Sequence, residues 1–216
     1  MLKTTVKANS VSNLTDARYF AAWHVDWLGF DLTANGLAIL PLPAVKEIKD
    51  WIEGPKIIGE LDMIDVVQSQ QIIDFLSLDH IQVGMHTPVE YLNGLNVTSI
   101  LKEVIIEPTT SFETLKTHLD QYFEVVDRFL LNFDKNGIDW ENEIIKGKTI
   151  TTSQLQQLCT QYDILLSMDF TADNTANILQ ALQPLGISVS GGNEEKVGFK
   201  SFDELDEVFE LLEEEI

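Results

Sequence analysis

Residues 4–32 read TTVKANSVSNLTDARYFAAWHVDWLGFDL, and their reading decides the architecture. Residues 4–8 form a short strand, because Thr4 and Val6 favour extended backbone, and the polar run 9–13 turns the chain. A helix is predicted next. Asn13 or Thr15 caps it, Asp16 suits the positive end of its dipole, and Ala17, Phe20, Ala21 and His24 recur at helical spacing. Residues 27–32 then read as a second, buried strand. A strand, a helix and a strand in so short a span predict a parallel pair joined by a right-handed crossover.

The rest of the chain repeats this unit. After a loop rich in Gly and Pro at 33–43, helices are expected at 44–52, 64–76, 88–94, 112–122, 153–161, 173–182 and from 202 onward. Strands are expected at 55–60, 80–84, 100–107, 129–133, 164–168 and 186–190, with a less regular stretch at 134–152. Eight strand–helix pairs without a compositional break predict an α/β chain folded as one compact (β/α)8 TIM barrel over residues 1–216. An open doubly wound sheet is the rival arrangement. In a barrel the chemistry sits at the C-terminal ends of the strands, so those positions name the candidate site.

Composition narrows the partners. Fourteen basic against thirty-five acidic residues give a net charge of −21, which opposes binding to nucleic acid phosphates or anionic membrane surfaces. No apolar run reaches membrane-spanning length and no leader-like segment follows Met1, so a cytoplasmic protein is expected. Cys159 is the one cysteine, which excludes an intramolecular disulfide and a cysteine-based metal cluster; its expected role is helix packing. The acidic last helix carries an apolar stripe of Phe202, Leu205, Val208, Phe209 and Leu212, the pattern of a helix with a solvated outer face. The four tryptophans, Trp23, Trp27, Trp51 and Trp140, read as packing residues. No cofactor and no metal are expected. The expected partner is a small molecule at the mouth, bound by a monomer or homodimer.

The pattern V-K at the first strand end, S-N-L-T-D-A-R opening the first helix and D-W-L-G-F-D-L as the second strand resembles phosphoribosylanthranilate isomerase, the tryptophan-biosynthesis barrel. Ile81-Gln82-Val83, Leu130-Leu131-Asn132, Gly137-Ile138-Asp139-Trp140 and Val189-Ser190-Gly191-Gly192-Asn193-Glu194 resemble that family's later strands and loops. The resemblance implies an isomerase that converts an aminoaldose to an aminoketose with a cysteine base after the first strand and an aspartic acid after the sixth. Here the family's K-I-C-G is Lys7-Ala8-Asn9-Ser10, and the acid position falls on Asn132. Neither amide accepts or delivers a proton at useful pH. Asp134, two residues on, is the candidate substitute for the acid. The family's arginine after the second strand has no basic counterpart between Asp31 and Leu42, and its glycine pair after the seventh strand appears as Met168-Asp169. Gly191 and Gly192 remain as a candidate anion nest, with Lys196 and Lys200 nearby.

Taken as a ring, the strand ends are Asn9, Asp31, Glu60, Gln82, Glu107, Asn132 with Asp134, Asp169, and Ser188 with Ser190; Lys7 lies just below. Either several of these acids turn away or pair with Lys7, Lys102 or Arg128, or the pocket suits a neutral polyol, an amine or a hard metal ion. His86 is the histidine expected nearest the mouth. Three functions stay open: a binding or regulatory relative without efficient isomerase activity, an active isomerase using Asp134, or an isomerase or lyase on a less anionic substrate.

Overall fold

In the computed structural model, which describes residues 1–33, 40–62, 64–191, 194–196 and 199–214, eight parallel strands close into a barrel. They are β1 (Thr5–Asn9), β2 (Trp27–Asp31), β3 (Lys56–Leu61), β4 (His80–Val83), β5 (Ser99–Ile105), β6 (Arg128–Asn132), β7 (Ile164–Ser167) and β8 (Gly186–Ser190). Each strand pairs with the next in sequence order, and β1 pairs with β8 from Thr5↔Gly186 to Asn9↔Ser190, which closes the ring and removes every free edge. An open sheet is thereby excluded.

The helices α1 (Leu14–Ala22), α2 (Leu42–Trp51), α3 (Val66–Leu76), α4 (Val89–Leu92), α5 (Phe112–Tyr122), α6 (Thr152–Gln161), α7 (Thr175–Leu182) and α8 (Asp203–Leu212) return the chain between strands. Asn13 is the cap of α1, its Oδ1 accepting from the Asp16 amide at 2.9 Å. α6 starts with a reciprocal cap between Thr151 and Gln154. A short antiparallel pair, β9 (Glu194–Lys196) with β10 (Phe199–Lys200), sits between β8 and α8. No helix among the described residues is long and apolar enough to cross a membrane.

Several sequence expectations shift. β5 stops at Ile105 rather than 107, because the chain curls into a turn in which the Glu107 amide donates to Thr110 Oγ1 at 2.9 Å. The irregular stretch contains one tight turn, Asp134–Asn136, and one wide helical turn, Trp140–Ile144, whose Trp140 and Ile144 enter the core. His24 lies past the end of α1, exposed, with a left-handed backbone (φ 57°), not on the packed face. Trp51 is 77% exposed, so it is not a packing residue. Cys159 does pack against the core, and burial pushes its thiol up to about 12.

Alternation along the strands sorts the core into two parts. Outward-facing residues such as Val6, Leu28, Ile81, Leu131 and Ile187 pack under the helices in one continuous cluster. Inward, Ile58, Leu101, Leu130 and Leu165 form a small apolar plug that fills the barrel centre. Below it Arg128 lies over the Trp27 ring at 5.3 Å and donates to Ser99 Oγ at 3.2 Å. Above it the inward side chains are mostly polar, among them Lys7, Asn9, Glu60, Gln82, Glu103 and Asn132. Closure also demands a tight seam: a Cβ on Gly186 would lie 2.1 Å from the Thr5 carbonyl oxygen. Gly186→Ala is therefore expected to destabilise the barrel by about 1–3 kcal/mol, read as a lower denaturant midpoint.

Candidate functional site

The polar layer above the plug opens into a cavity of about 320 Å3 at the C-terminal ends of the strands. Asn9, Asp31, Glu60, Gln82, Asn132, Asp134 and Ser190 line it, as the strand ends imply. Ser10, Thr33, Asp62, Glu103, Lys135 and Ser167 join them. Two hydrogen-bonded groups face each other across this space.

The first is built by β1, β3 and β8. Lys7 is fully buried, and its Nζ donates to Glu60 Oε1 at 2.6 Å and to Asn9 Oδ1 at 2.5 Å. Ser188 Oγ also donates to Asn9 Oδ1, at 2.7 Å. Ser10 donates its amide to Glu60 Oε1 at 3.2 Å and its hydroxyl to Glu60 Oε2 at 2.9 Å. Ser10 adopts a left-handed backbone (φ 46°), which costs a side-chain-bearing residue about 1–2 kcal/mol, and those two bonds offset it. Gly29 explains the glycine of the second strand: a Cβ there would stand 2.0 Å from Glu60 Oε1 and 2.8 Å from Lys7 Nζ, inside the ion pair. With two donors on Oδ1, the Asn9 amide is held in place by its acceptor end. The lone pair of its amide nitrogen is delocalised into the carbonyl and does not act as a base.

The second group comes from β5, β6 and the turn after β6. Asn132 Nδ2 donates to Glu103 Oε1 at 2.7 Å, the Lys135 amide donates to Asn132 Oδ1 at 3.0 Å, and Lys135 Nζ donates to Glu103 Oε2 at 2.8 Å. Ser167 Oγ donates to Asp134 Oδ2 at 2.8 Å. Although water reaches Asp134 from the mouth, the surrounding walls desolvate its carboxyl and raise its pKa; the Ser167 bond opposes the shift and the charge of Asp169 adds to it.

Four expectations need correction or relocation. Glu107 lies on the surface turn beyond β5, and Glu103 is the acid that β5 presents to the mouth; Lys102, its neighbour, faces the opposite side by the two-residue period. Asp169 lines a neighbouring cavity of about 630 Å3 with Phe170, Asp203 and Glu204, which shares Asp134 and Ser190 with the first. Gly191 is half-buried just past β8 and lines neither cavity, and Gly192 and the side chains of Lys196 and Lys200 lie outside the described residues. His86 is exposed and lines neither cavity.

Of the three cations weighed as counter-charges, Lys7 pairs with a mouth acid. Arg128 is at the barrel floor. Lys102 is fully buried between the sheet and α5, where its Nζ donates to the carbonyls of Gly84, Met85 and Thr87 at 2.8, 2.8 and 2.9 Å and lies 4.3 Å from the Tyr122 ring centroid. Burial pushes its pKa down to about 8, while the three carbonyls match the three N–H donors of the ammonium. Among the described residues, no three His, Cys, Asp or Glu side chains come together in a way that could hold a metal ion.

A closed (β/α)8 barrel with a polar cavity at the strand C-terminal ends defines the class: a TIM barrel whose cavity lies at the mouth, the end at which barrels of this kind carry their sites. The N-(5'-phosphoribosyl)anthranilate isomerase of Sulfurihydrogenibium sp. (strain YO3AOP1) is 20% identical over 210 residues, 96% of this chain and 98% of that protein. Among solved structures, phosphoribosylanthranilate isomerase in complex with reduced 1-(o-carboxyphenylamino)-1-deoxyribulose 5-phosphate matches with a TM-score of 0.75 at 16% identity, over 96% of this chain and 97% of the other. Phosphoribosylanthranilate isomerase from Thermococcus kodakaraensis matches with a TM-score of 0.74 at 19% identity, over 97% and 98%. No family model matches. In sequence and fold together, the chain is similar to the phosphoribosylanthranilate isomerases.

Proposed function

We propose that this chain is a phosphoribosylanthranilate isomerase-like barrel that does not carry out the rearrangement efficiently and instead holds a small, non-anionic ligand as a binding or regulatory protein. The observation that carries the reading is that amides stand where the resemblance puts base and acid: Asn9 is tied to Lys7 and Ser188, Asn132 to Glu103 and Lys135. Each member of an acid–base pair contributes roughly 10²–10⁴ in rate, so the loss of both removes useful turnover. The surroundings add to this. A substrate bearing a carboxylate and a phosphate meets Asp31, Glu60, Asp62, Glu103 and Asp134 in one cavity and Asp169, Asp203 and Glu204 in the next.

A second reading has one observation in its favour. Burial raises the pKa of the Asp134 carboxyl, the direction that favours a general acid, although the Ser167 bond opposes it. Complementation separates the two. A tryptophan auxotroph lacking the isomerase is expected not to grow when given this chain at ordinary expression. Growth that disappears with Asp134→Asn would establish the second reading and overturn the first.

A further inference from the structure

We propose that His118 is an acid-sensitive catch: its protonation loosens the hold of α5 and Lys102 on residues 84–87, the stretch that forms one wall of the mouth. The device acts on the wall itself and is independent of which guest the mouth receives.

A chain of contacts links His118 to the cavity. Tyr122 binds α5 to the segment after β4, its hydroxyl donating to the Thr87 carbonyl at 2.9 Å. The same ring carries the Lys102 ammonium 4.3 Å from its centroid, and that ammonium holds the Gly84, Met85 and Thr87 carbonyls. Gly84 lines the mouth cavity, so this stretch is at once the anchor of α5 and part of the mouth. His118 lies one helical turn before Tyr122 and packs on its ring, with the two ring centroids 4.9 Å apart. Whatever displaces the His118 ring therefore disturbs the ring that ties α5 to the wall.

The surroundings of His118 accept a neutral imidazole and reject a charged one. Its Nε2 is buried and has no hydrogen-bond partner among the described residues. A neutral ring keeps its proton on Nδ1 and leaves Nε2 a bare lone pair, whereas an imidazolium carries a proton on both nitrogens and buries one N–H without an acceptor. Charge acts in the same direction. Lys102 on β5 and His86 in the turn after β4 are the groups that act on His118, and both oppose a further positive charge. Asp62 and Glu103 act on Lys102, Glu90 of α4 acts on Tyr122, and Lys116 and Asp120 of α5 bond each other at the surface. Burial first, then Lys102 and His86, hold the His118 pKa below its ordinary 6.5. A ring swung out into water regains the ordinary value, so acid favours the loosened arrangement. The closed arrangement is fully stable above about pH 6.5 and loses stability as pH falls below it. Lys102, at about 8, stays charged throughout that window.

Hydrogen exchange of residues 84–93 in the full chain, compared between about pH 7 and pH 5 and corrected for the intrinsic pH dependence of exchange, reads the catch directly. Protection there is expected to fall at least about threefold at the lower pH, while the β1–β8 seam keeps its own. His118→Gln, which takes up no proton, is expected to hold the protection constant, and His86→Gln to keep the parent's response. A flat profile in the parent, or a response that disappears with His86→Gln and survives His118→Gln, would overturn the proposal. A fall shared by the seam would mean global unfolding and overturn it too. If His118→Gln folds poorly, a nuclear magnetic resonance titration of the His118 ring in the parent decides: a pKa below 6.5 is expected, and one at or above 6.5 removes the catch.

Discussion

Lys7→Met is expected to lower folding stability by about 3–5 kcal/mol, more than any other single change at the mouth. Lys7 is fully buried, and the Glu60 side chain it bonds is only 11% exposed. Removing the ammonium strands a carboxylate that water can barely reach, and the remaining Ser10 donors cannot replace a full charge. The Met side chain fills similar space, so the loss reports charge rather than a cavity. Glu60→Gln in the same background should recover most of it, because a neutral amide no longer needs a counter-ion. Denaturant unfolding of the two single variants and the double variant closes the cycle. A coupling smaller than about 1 kcal/mol would show that the pair behaves like an exposed ion pair.

Asn132→Asp, which writes the family's acid back into the chain, is expected to make the fold alkali-sensitive. Asn132 Nδ2 sits 2.7 Å from Glu103 Oε1, so the substitution sets two carboxyls against each other. Unit charges about 4 Å apart repel by about 4 kcal/mol at an effective dielectric of 20, and Lys135 relieves part of this. One carboxyl must then keep its proton well above the usual range. A carboxyl whose pKa is raised on folding gives stability that is present below its unfolded value near 4 and lost as pH rises through its folded value. The variant should match the parent near pH 4 and fall behind it by about 2–4 kcal/mol at pH 8. Thermal melts across that range provide the check, and parallel curves for the two proteins would show that Asn132 and Glu103 are not in contact.

The barrel was legible in the sequence because each unit states itself locally. Asn13 caps a helix, apolar residues alternate with turn signals, and β8 falls on residues 186–190 as its flanking glycine and Ser190 imply. Most of the mouth was legible for the same reason, since a strand's C-terminal end fixes which residues reach it. β5 was the exception. Its run S-I-L-K-E-V-I-I-E is extended throughout, and nothing local shows that the turn closed by Thr110 ends the pairing at Ile105. Adjacent Lys102 and Glu103 must face opposite ways, but only the ladder with β4 and β6 decides which faces in. The Gln82 oxygen, which finds no donor among the described residues, is invisible to any one-dimensional reading, because it depends on which groups come near it in space.

Lys102 adds a consequence of another kind. Its grip on three carbonyls, those of Gly84, Met85 and Thr87, fastens from outside the wall that continues β4 past Gln82. That side of the mouth is therefore set before any guest arrives, and little ordering entropy is left to be lost on association. A rigid wall gains selectivity at the expense of tolerance. The shape of this side of the mouth is thus rooted in a residue that lies outside the cavity.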